Sequence, residues 1–314
     1  MRTVKTLKIV ALLFYFGSAS LLAQDFERVD ATIQLYPSSF DGTEGLARFI
    51  NRDFTSEAEK VRAIYTWIIA NVAYDPDEYK KFNFNFKNYR ERNVKEEKTR
   101  KKVIERTIKD GIAVCEGYAM LFEKLCEEVG ISSYLVRGDT KTHFDDIGRS
   151  FNTNHMWNIA LIEGTYYLFD TTWGAGKFDG QFIPAPSYLY FQTPAEVFIN
   201  SHYPELEEDQ LLEAPISFET FSNRPLVLQD LFLFEDIHTP KQGILRSENF
   251  LGSVSFSIST EAPNTLAYRM GNAYQEISFE TQDNVLSFEV PLSLGARFLL
   301  IYMNEQPVLG YKIE

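Results

Sequence analysis

The sequence predicts an α+β protein: a cysteine-bearing helix packed on an antiparallel sheet, followed by a C-terminal all-β sandwich. Three stretches carry that expectation. From residue 116 to 129 the apolar side chains Tyr118, Ala119, Phe122, Leu125, Cys126 and Val129 recur at three- and four-residue steps, the period of a helix with one buried stripe. Gly130 stands where such a helix ends in a left-handed residue. Residues 155–162 and 165–170 are β-favouring runs around Glu163-Gly164, the signal of a two-residue hairpin. Beyond Pro215 come seven short runs, 227–234, 254–258, 266–270, 276–279, 285–290, 298–302 and 308–313, separated by turn signals such as Gly252-Ser253 and Asp283-Asn284. That spacing is the pattern of a sandwich.

Length and charge bound the rest. The 314 residues, 45% of them apolar, suffice for one large or two ordinary domains. Arg2, Lys5 and Lys8 precede the apolar run 9–16 and a small-residue exit before Gln24. This order predicts a signal peptide cleaved after Ala23, too short for a comfortable membrane span. The mature chain is therefore expected to be exported, periplasmic or extracellular, with no stable span. The formal charge of −13 falls to −16 once those three basic residues leave, which argues against nucleic acid or anionic lipid as the main partner. The expected division is 1–23 signal peptide, 24–214 helix-and-sheet domain, and 215–314 β-sandwich (Ig-like).

Along the chain, residues 46–50 suggest a short helix. Thr55-Ser56-Glu57-Ala58-Glu59 is a helix start with caps and acids in the first turn. The helix continues through Val61, Ile64, Tyr65, Trp67 and Ile68 and stops before Tyr74-Asp75-Pro76. Residues 79–110 interleave Phe82, Phe84, Phe86 and Tyr89 with twelve Lys or Arg. Basic residues among aromatics invite a nucleic-acid reading, but Glu91, Glu96, Glu97 and Glu105 are mixed in. A solvated helix over 94–109, after a loop able to cover a cleft, accounts for them. Residues 131–137 read as a strand and 141–154 as a polar loop. If Glu163-Gly164 is the turn, Trp157 faces Asp170 and His155 faces Thr172. Asp170 is then the diagonal neighbour of His155, on a face shared with Ile159, Leu161, Tyr166 and Leu168 that would cover a helix. Pro194 starts a short helix that Ser201-His202-Tyr203-Pro204 closes.

The chemistry turns on Cys115 at the helix N-terminus, where unpaired N–H groups and the helix dipole favour a thiolate. The plain alternative is a small apolar core residue, since free cysteines are usually buried. Cys126, the other cysteine, lies eleven residues on in the same helix, ~16 Å along its axis, too far for a disulfide. Cys115, His155 and Asp170 have the types and order of a nucleophile, a base and an orienting acid. His143, His202 and His238 are read as a solvent-exposed loop residue, a structural hydrogen bonder and a bystander in the β region. Trp157 and Trp173 flank the site and are read as core. No zinc-type ligand set, EF-hand loop or phosphate-binding glycine loop occurs, so no cofactor or metal is expected.

Local wording adds to this. Ala113-Val114-Cys115-Glu116-Gly117-Tyr118-Ala119, His155-Met156-Trp157-Asn158 and Asp170-Thr171-Thr172-Trp173 closely resemble the three motifs of the transglutaminase-like superfamily. Residues 63–68 with Tyr74-Asp75 resemble its upstream helix. Residues 191–196, His202-Tyr203-Pro204 and Gln210-Leu211-Leu212 look like the tail of its kyphoscoliosis-peptidase-like branch. The resemblance covers roughly residues 55–212 and implies a papain-like core in which Cys115, His155 and Asp170 are the triad. Ala113 replaces a common Gly and Asp209 a common Trp; neither belongs to the triad. One oxyanion donor is the Cys115 backbone N–H, and a second is not legible. Calcium serves animal transglutaminases, but nothing in this sequence carries that site.

Two readings follow. In the first, an exported thiol enzyme acts on amide bonds of a protein or peptide, cell-envelope peptide included. It works as a peptidase, amidase or transglutaminase-type acyl transferase through an acyl-thioester. In the second, a catalytically silent transglutaminase-like core and its sandwich bind proteins or cell-envelope material.

Overall fold

The computed structural model describes residues 26–78, 89–228, 236–246, 248, 252–293 and 295–314, with backbone alone for 89–95. The signal-peptide reading, the aromatic loop 79–88 and most of the run 227–234 lie outside the described residues. Among the described residues no helix is long and apolar enough to cross a membrane.

Three helices open the fold: α1 (Glu27–Ile33), α2 (Thr43–Asp53) and α3 (Glu57–Asn71). Ser56 caps α3 through a capping box closed by Glu59, as the sequence predicts, and most of that helix is buried. Strand β1 (Ala73–Tyr74) follows, then α4 (Tyr89–Asp110), β2 (Ile112–Ala113) and α5 (Cys115–Glu128). Helix α4 is longer than the sequence suggests and is not wholly solvated, because Ile104, Thr107 and Ile108 are buried. Next come β3 (Ser133–Thr140), β4 (His155–Ile162), β5 (Thr165–Phe169), α6 (Thr171–Ala175), β6 (Gly176–Asp179), β7 (Gln181–Pro184), β8 (Phe191–Thr193), α7 (Ala195–Phe198) and β9 (His202–Pro204). The central antiparallel sheet has the order β8-β5-β4-β3-β9. One core joins helices α1, α2, α3 and α5 to one face of this sheet, through Ala160, Ile162 and Phe169. A smaller cluster of Val136, Trp157, Ile159, Leu168 and Phe198 fills the other face.

Three expectations change here. The hairpin register is the predicted one from Ile162↔Thr165 to Asn158↔Phe169, but the strand stops at Phe169 and Asp170 caps α6, so His155 and Thr172 are not strand partners. The stripe Trp157, Ile159 and Leu168 packs on Phe198 of α7, while the cysteine helix lies on the opposite face. Strand β4 is buried on both faces along nearly its whole length, so alternation could not mark which one meets the helix. Likewise His202–Pro204 does not close a helix; it pairs with β3 as an edge strand, Gly138↔Pro204 to Thr140↔His202.

The C-terminal part begins with α8 (Phe218–Asn223) and β10 (Leu226–Val227). It continues through β11 (Asp236–Thr239), β12 (Ile244–Leu245), β13 (Ser253–Ser259), β14 (Leu266–Met270), β15 (Ala273–Glu276), β16 (Glu280–Gln282), β17 (Val285–Pro291), β18 (Phe298–Met303) and β19 (Gln306–Ile313). These form sheets ordered β10-β19-β18-β14-β15, with β12 beside β19, and β11-β13-β17-β16. Alternate residues of both sheets, Val254, Phe256 and Ile258 with Leu299, Ile301 and Met303 among them, bury one shared core. The predicted run 276–279 instead bridges β15 and β16. The joint to the first core is polar and close. Buried Lys141 donates to the carbonyls of Phe221, Arg224 and Pro225 at 2.9, 3.0 and 3.3 Å, and the Phe144 and Phe298 rings lie 4.5 Å apart.

Candidate active site

Cys115 is delivered by a parallel two-residue ladder, Ala73↔Ile112 and Tyr74↔Ala113. Gly111 turns the chain out of α4 at φ +67°, where a Cβ would also stand 2.8 Å from the Asn71 carbonyl oxygen, so only glycine fits. Val114 then caps α5, its carbonyl receiving the N–H groups of Gly117 and Tyr118. Cys115 is thus the first helical residue, and its own N–H has no acceptor within the helix. Its side chain, 9% exposed, rests on Ala119 and Met156. Cys115 Sγ lies 3.4 Å from Glu116 Oε2.

Asp170 is fully buried and bonded on every side. Oδ1 accepts the N–H groups of Thr172 (2.8 Å) and Trp173 (3.0 Å), which begins α6. Oδ2 accepts Nε2–H from His155 at 2.7 Å and from His202 at 3.1 Å. The carboxylate fixes both tautomers, so Nδ1 of His155 is left for the sulfur and Nδ1 of His202 accepts from Ser201 Oγ at 2.8 Å. The Phe198 ring stacks on His202 at 4.0 Å, and Trp173 lies 4.4 Å from it on centroids. Nε2 and Oδ2 of these three residues are metal-ligand types within 4.8 Å of one another, and their separations are those of N–H···O hydrogen bonds.

Charge is divided unequally between the two imidazoles. Burial works against an imidazolium at His155, but the Asp170 charge and hydrogen bond, with the Cys115 sulfur adding to them, outweigh it and lift the pKa to about 10. Burial dominates at His202, only partly offset by Asp170, and brings it down to about 4. Asp170, which burial alone would raise, is held far below the usual carboxylate range by the two imidazoles. The Asp170 carboxylate thus favours the charged form of His155, while burial favours the neutral form of His202.

The site opens on a cavity of about 740 Å³ whose wall includes Tyr74, His143, His155, Thr172 and Trp173. Trp157 is core, as expected, but Trp173 is half-buried and faces this cavity. His143 is exposed and lines it too, with Nδ1 accepting from Thr142 Oγ1 at 2.6 Å. His238 is exposed in β11, bonded to Ser259. Burial, and then the charges of Cys115 and Glu116, lift the Tyr74 phenol to about 12, so it remains a proton donor. The sequence hinted at a structural bond for His202 without revealing its partner. The signal was indirect: a histidine before Tyr-Pro in a tail already matched to a family pattern.

The transglutaminase-like domain model matches residues 45–186, which hold all three motifs. Residues 45–186 are a transglutaminase-like domain. Beyond that domain, the chain is 29% identical over 300 residues to the kyphoscoliosis peptidase of Homo sapiens, covering 91% of this chain and 42% of the relative. It is 27% identical over 288 residues to the kyphoscoliosis peptidase of Mus musculus, covering 88% and 40%. The chain thus spans about two fifths of the length of these curated relatives. Among solved structures, the crystal structure of a TGase is 16% identical, covering 57% of this chain and 40% of that one, with a TM-score of 0.30. The transglutaminase-like domain supplies every group of the cluster except His202, which follows it in the tail.

Proposed function

We propose that this protein is a cysteine enzyme acting on amide bonds of polypeptides through an acyl-thioester at Cys115. The observation that carries the reading is the 2.7 Å hydrogen bond between His155 Nε2 and the buried Asp170 carboxylate, which leaves Nδ1 of the ring for the Cys115 sulfur at the start of α5. In the proposed reaction the Cys115 thiolate attacks the amide carbonyl carbon. The oxyanion is met by the Cys115 backbone N–H at the start of α5 and by the Tyr74 phenol. His155 gives its proton to the leaving nitrogen, the C–N bond breaks and the acyl group stays on sulfur. Neutral His155 then takes a proton from water or from a primary amine. That nucleophile displaces the thiolate, giving an acid or a new amide. Asp170 remains ionised throughout and orients the ring. The relatives' printed name, peptidase, supports the hydrolytic branch. The basic, apolar and small-residue order of residues 1–23 supports action outside the cytoplasm.

Incubation of the parent and of Cys115→Ala with peptide and cell-envelope mixtures, compared by mass spectrometry, tests the reading. New cleavage or amine-exchange products in the parent alone support it. Identical product spectra from both proteins refute it.

A further inference from the structure

The cavity that holds His155 does not end at the first core. Leu226, Val227 and Leu228, at the start of the C-terminal sheet, line it as well. Among the described residues strand β10 is an edge, paired on one side only, with β19. Leu228 N–H donates to Val308 O, so Leu228 and Leu226 occupy the hydrogen-bonded positions of that antiparallel pair. Val227, between them and opposite Leu309, therefore turns its N–H and C=O away from β19. Among the described residues nothing takes up those two groups.

Thr172 lines the cavity along with His155, and its Oγ1 is buried without a hydrogen-bond partner among the described residues. Buried hydroxyls are normally satisfied. The described residues lining the cavity include no Asp or Glu. Trp173, Phe178 and Phe182 line it instead.

From this placement we propose that the substrate is an extended polypeptide bound across both cores. Its backbone hydrogen bonds to Thr172 Oγ1 in the wall that also holds His155 and adds as a strand to the edge of β10 at Val227. This rests on the polypeptide-amide reading above and gives the C-terminal sheet a part in the site. Strand addition supplies affinity without regard to sequence, while pockets between the strands select side chains. With Lys141, Lys177 and His155 in the wall beside the aromatics and no carboxylate among the described lining residues, the cavity disfavours Lys and Arg side chains of the substrate.

Binding can be separated from chemistry by working in Cys115→Ala, with fluorescein-labelled, reduced and alkylated casein as the extended polypeptide and anisotropy as the readout. Val227→Pro removes the outward N–H at an edge position where proline is tolerated and should weaken binding about five-fold, the worth of roughly one ordinary hydrogen bond. Val227→Ala keeps that N–H and should bind like its parent. Thr172→Val should also weaken binding about five-fold while raising Tm, because it deletes a buried polar atom that the free protein leaves unsatisfied. Absence of casein binding, or binding by Val227→Pro and Thr172→Val as tight as in the parent, would overturn the proposal. Loss of binding here with Cys115 chemistry intact would leave the reaction proposed above standing, so the two fail separately.

Discussion

Asp170→Asn isolates the charge at the centre of the cluster. Asparagine is as good a helix N-cap as aspartate, so its side-chain oxygen can still accept from Thr172 and Trp173 and α6 should persist. Its NH2 group would face Nε2 of His155 and of His202, and both rings would have to become neutral acceptors. His155 stands at about 10 against an ordinary 6.5, a difference worth about 5 kcal/mol in favour of the imidazolium at 1.36 kcal/mol per unit. With the carboxylate gone, burial is left as the main influence, and it acts downward. The His155 pKa should fall from about 10 to below its ordinary 6.5, and kcat by about 10⁴, the order that a wrong imidazole tautomer costs a triad. Nitrogen-15 NMR of histidine-labelled protein follows the ring directly between pH 4 and 11. A His155 in Asp170→Asn that titrates within one unit of the parent would refute the assignment of its charge to Asp170.

The other expectations concern the tail. His202 has its folded pKa lowered to about 4 from an ordinary 6.5. Its contribution to stability is therefore complete above pH 6.5 and is lost as the pH falls toward 4, by about 3 kcal/mol. His155 has the opposite sign, its contribution complete below 6.5 and lost as the pH rises toward 10, so the cluster stabilises the fold most near pH 6.5. His202→Gln keeps a donor for Asp170 but cannot titrate. Urea unfolding at pH 7 and pH 4.5 should show the acid-side loss shrinking in this variant, and an unchanged loss would exclude His202 as its source. Gly138→Ala should cost about 1–3 kcal/mol, since its Cβ would fall 2.2 Å from the Tyr203 carbonyl oxygen and 2.3 Å from the Trp157 ring. Strand β9 would then have to move off β3, carrying His202 with it. Native stability in urea would contradict that close approach.

What the sequence made legible, it did so through local physics. The Cys115 helix, its buried stripe and the turn at Gly130 follow from period and left-handed glycine, and the Glu163-Gly164 hairpin from its turn chemistry. The meeting of His155 and Asp170 was foreseen, but along a continued strand. Asp170 in fact ends the strand and caps a helix, a competition between extended pairing and Asx capping that residue types alone did not decide. The face of β4 that meets the cysteine helix was illegible because both faces are apolar. His202 is the structural hydrogen bonder that the sequence suggests, but its partners Asp170 and Phe198 were illegible because they reach it only through the pairing of β9 with β3. Trp173 was read as core because a large aromatic in a motif gives no sign of which side of it faces a cavity.

The pH dependence of Cys115 alkylation tests the central claim most directly, because it reports the nucleophile and its partner without knowledge of the substrate. Iodoacetamide labelling, read by peptide mass spectrometry, has an internal control in Cys126, which is fully buried and whose thiol burial pushes far up. The account predicts rapid labelling of Cys115 well below pH 8, marked slowing in His155→Ala, and no labelling of Cys126 in the native protein. Labelling of Cys115 only above about pH 8.5, as for an unassisted thiol, and at the same rate in His155→Ala, would contradict it.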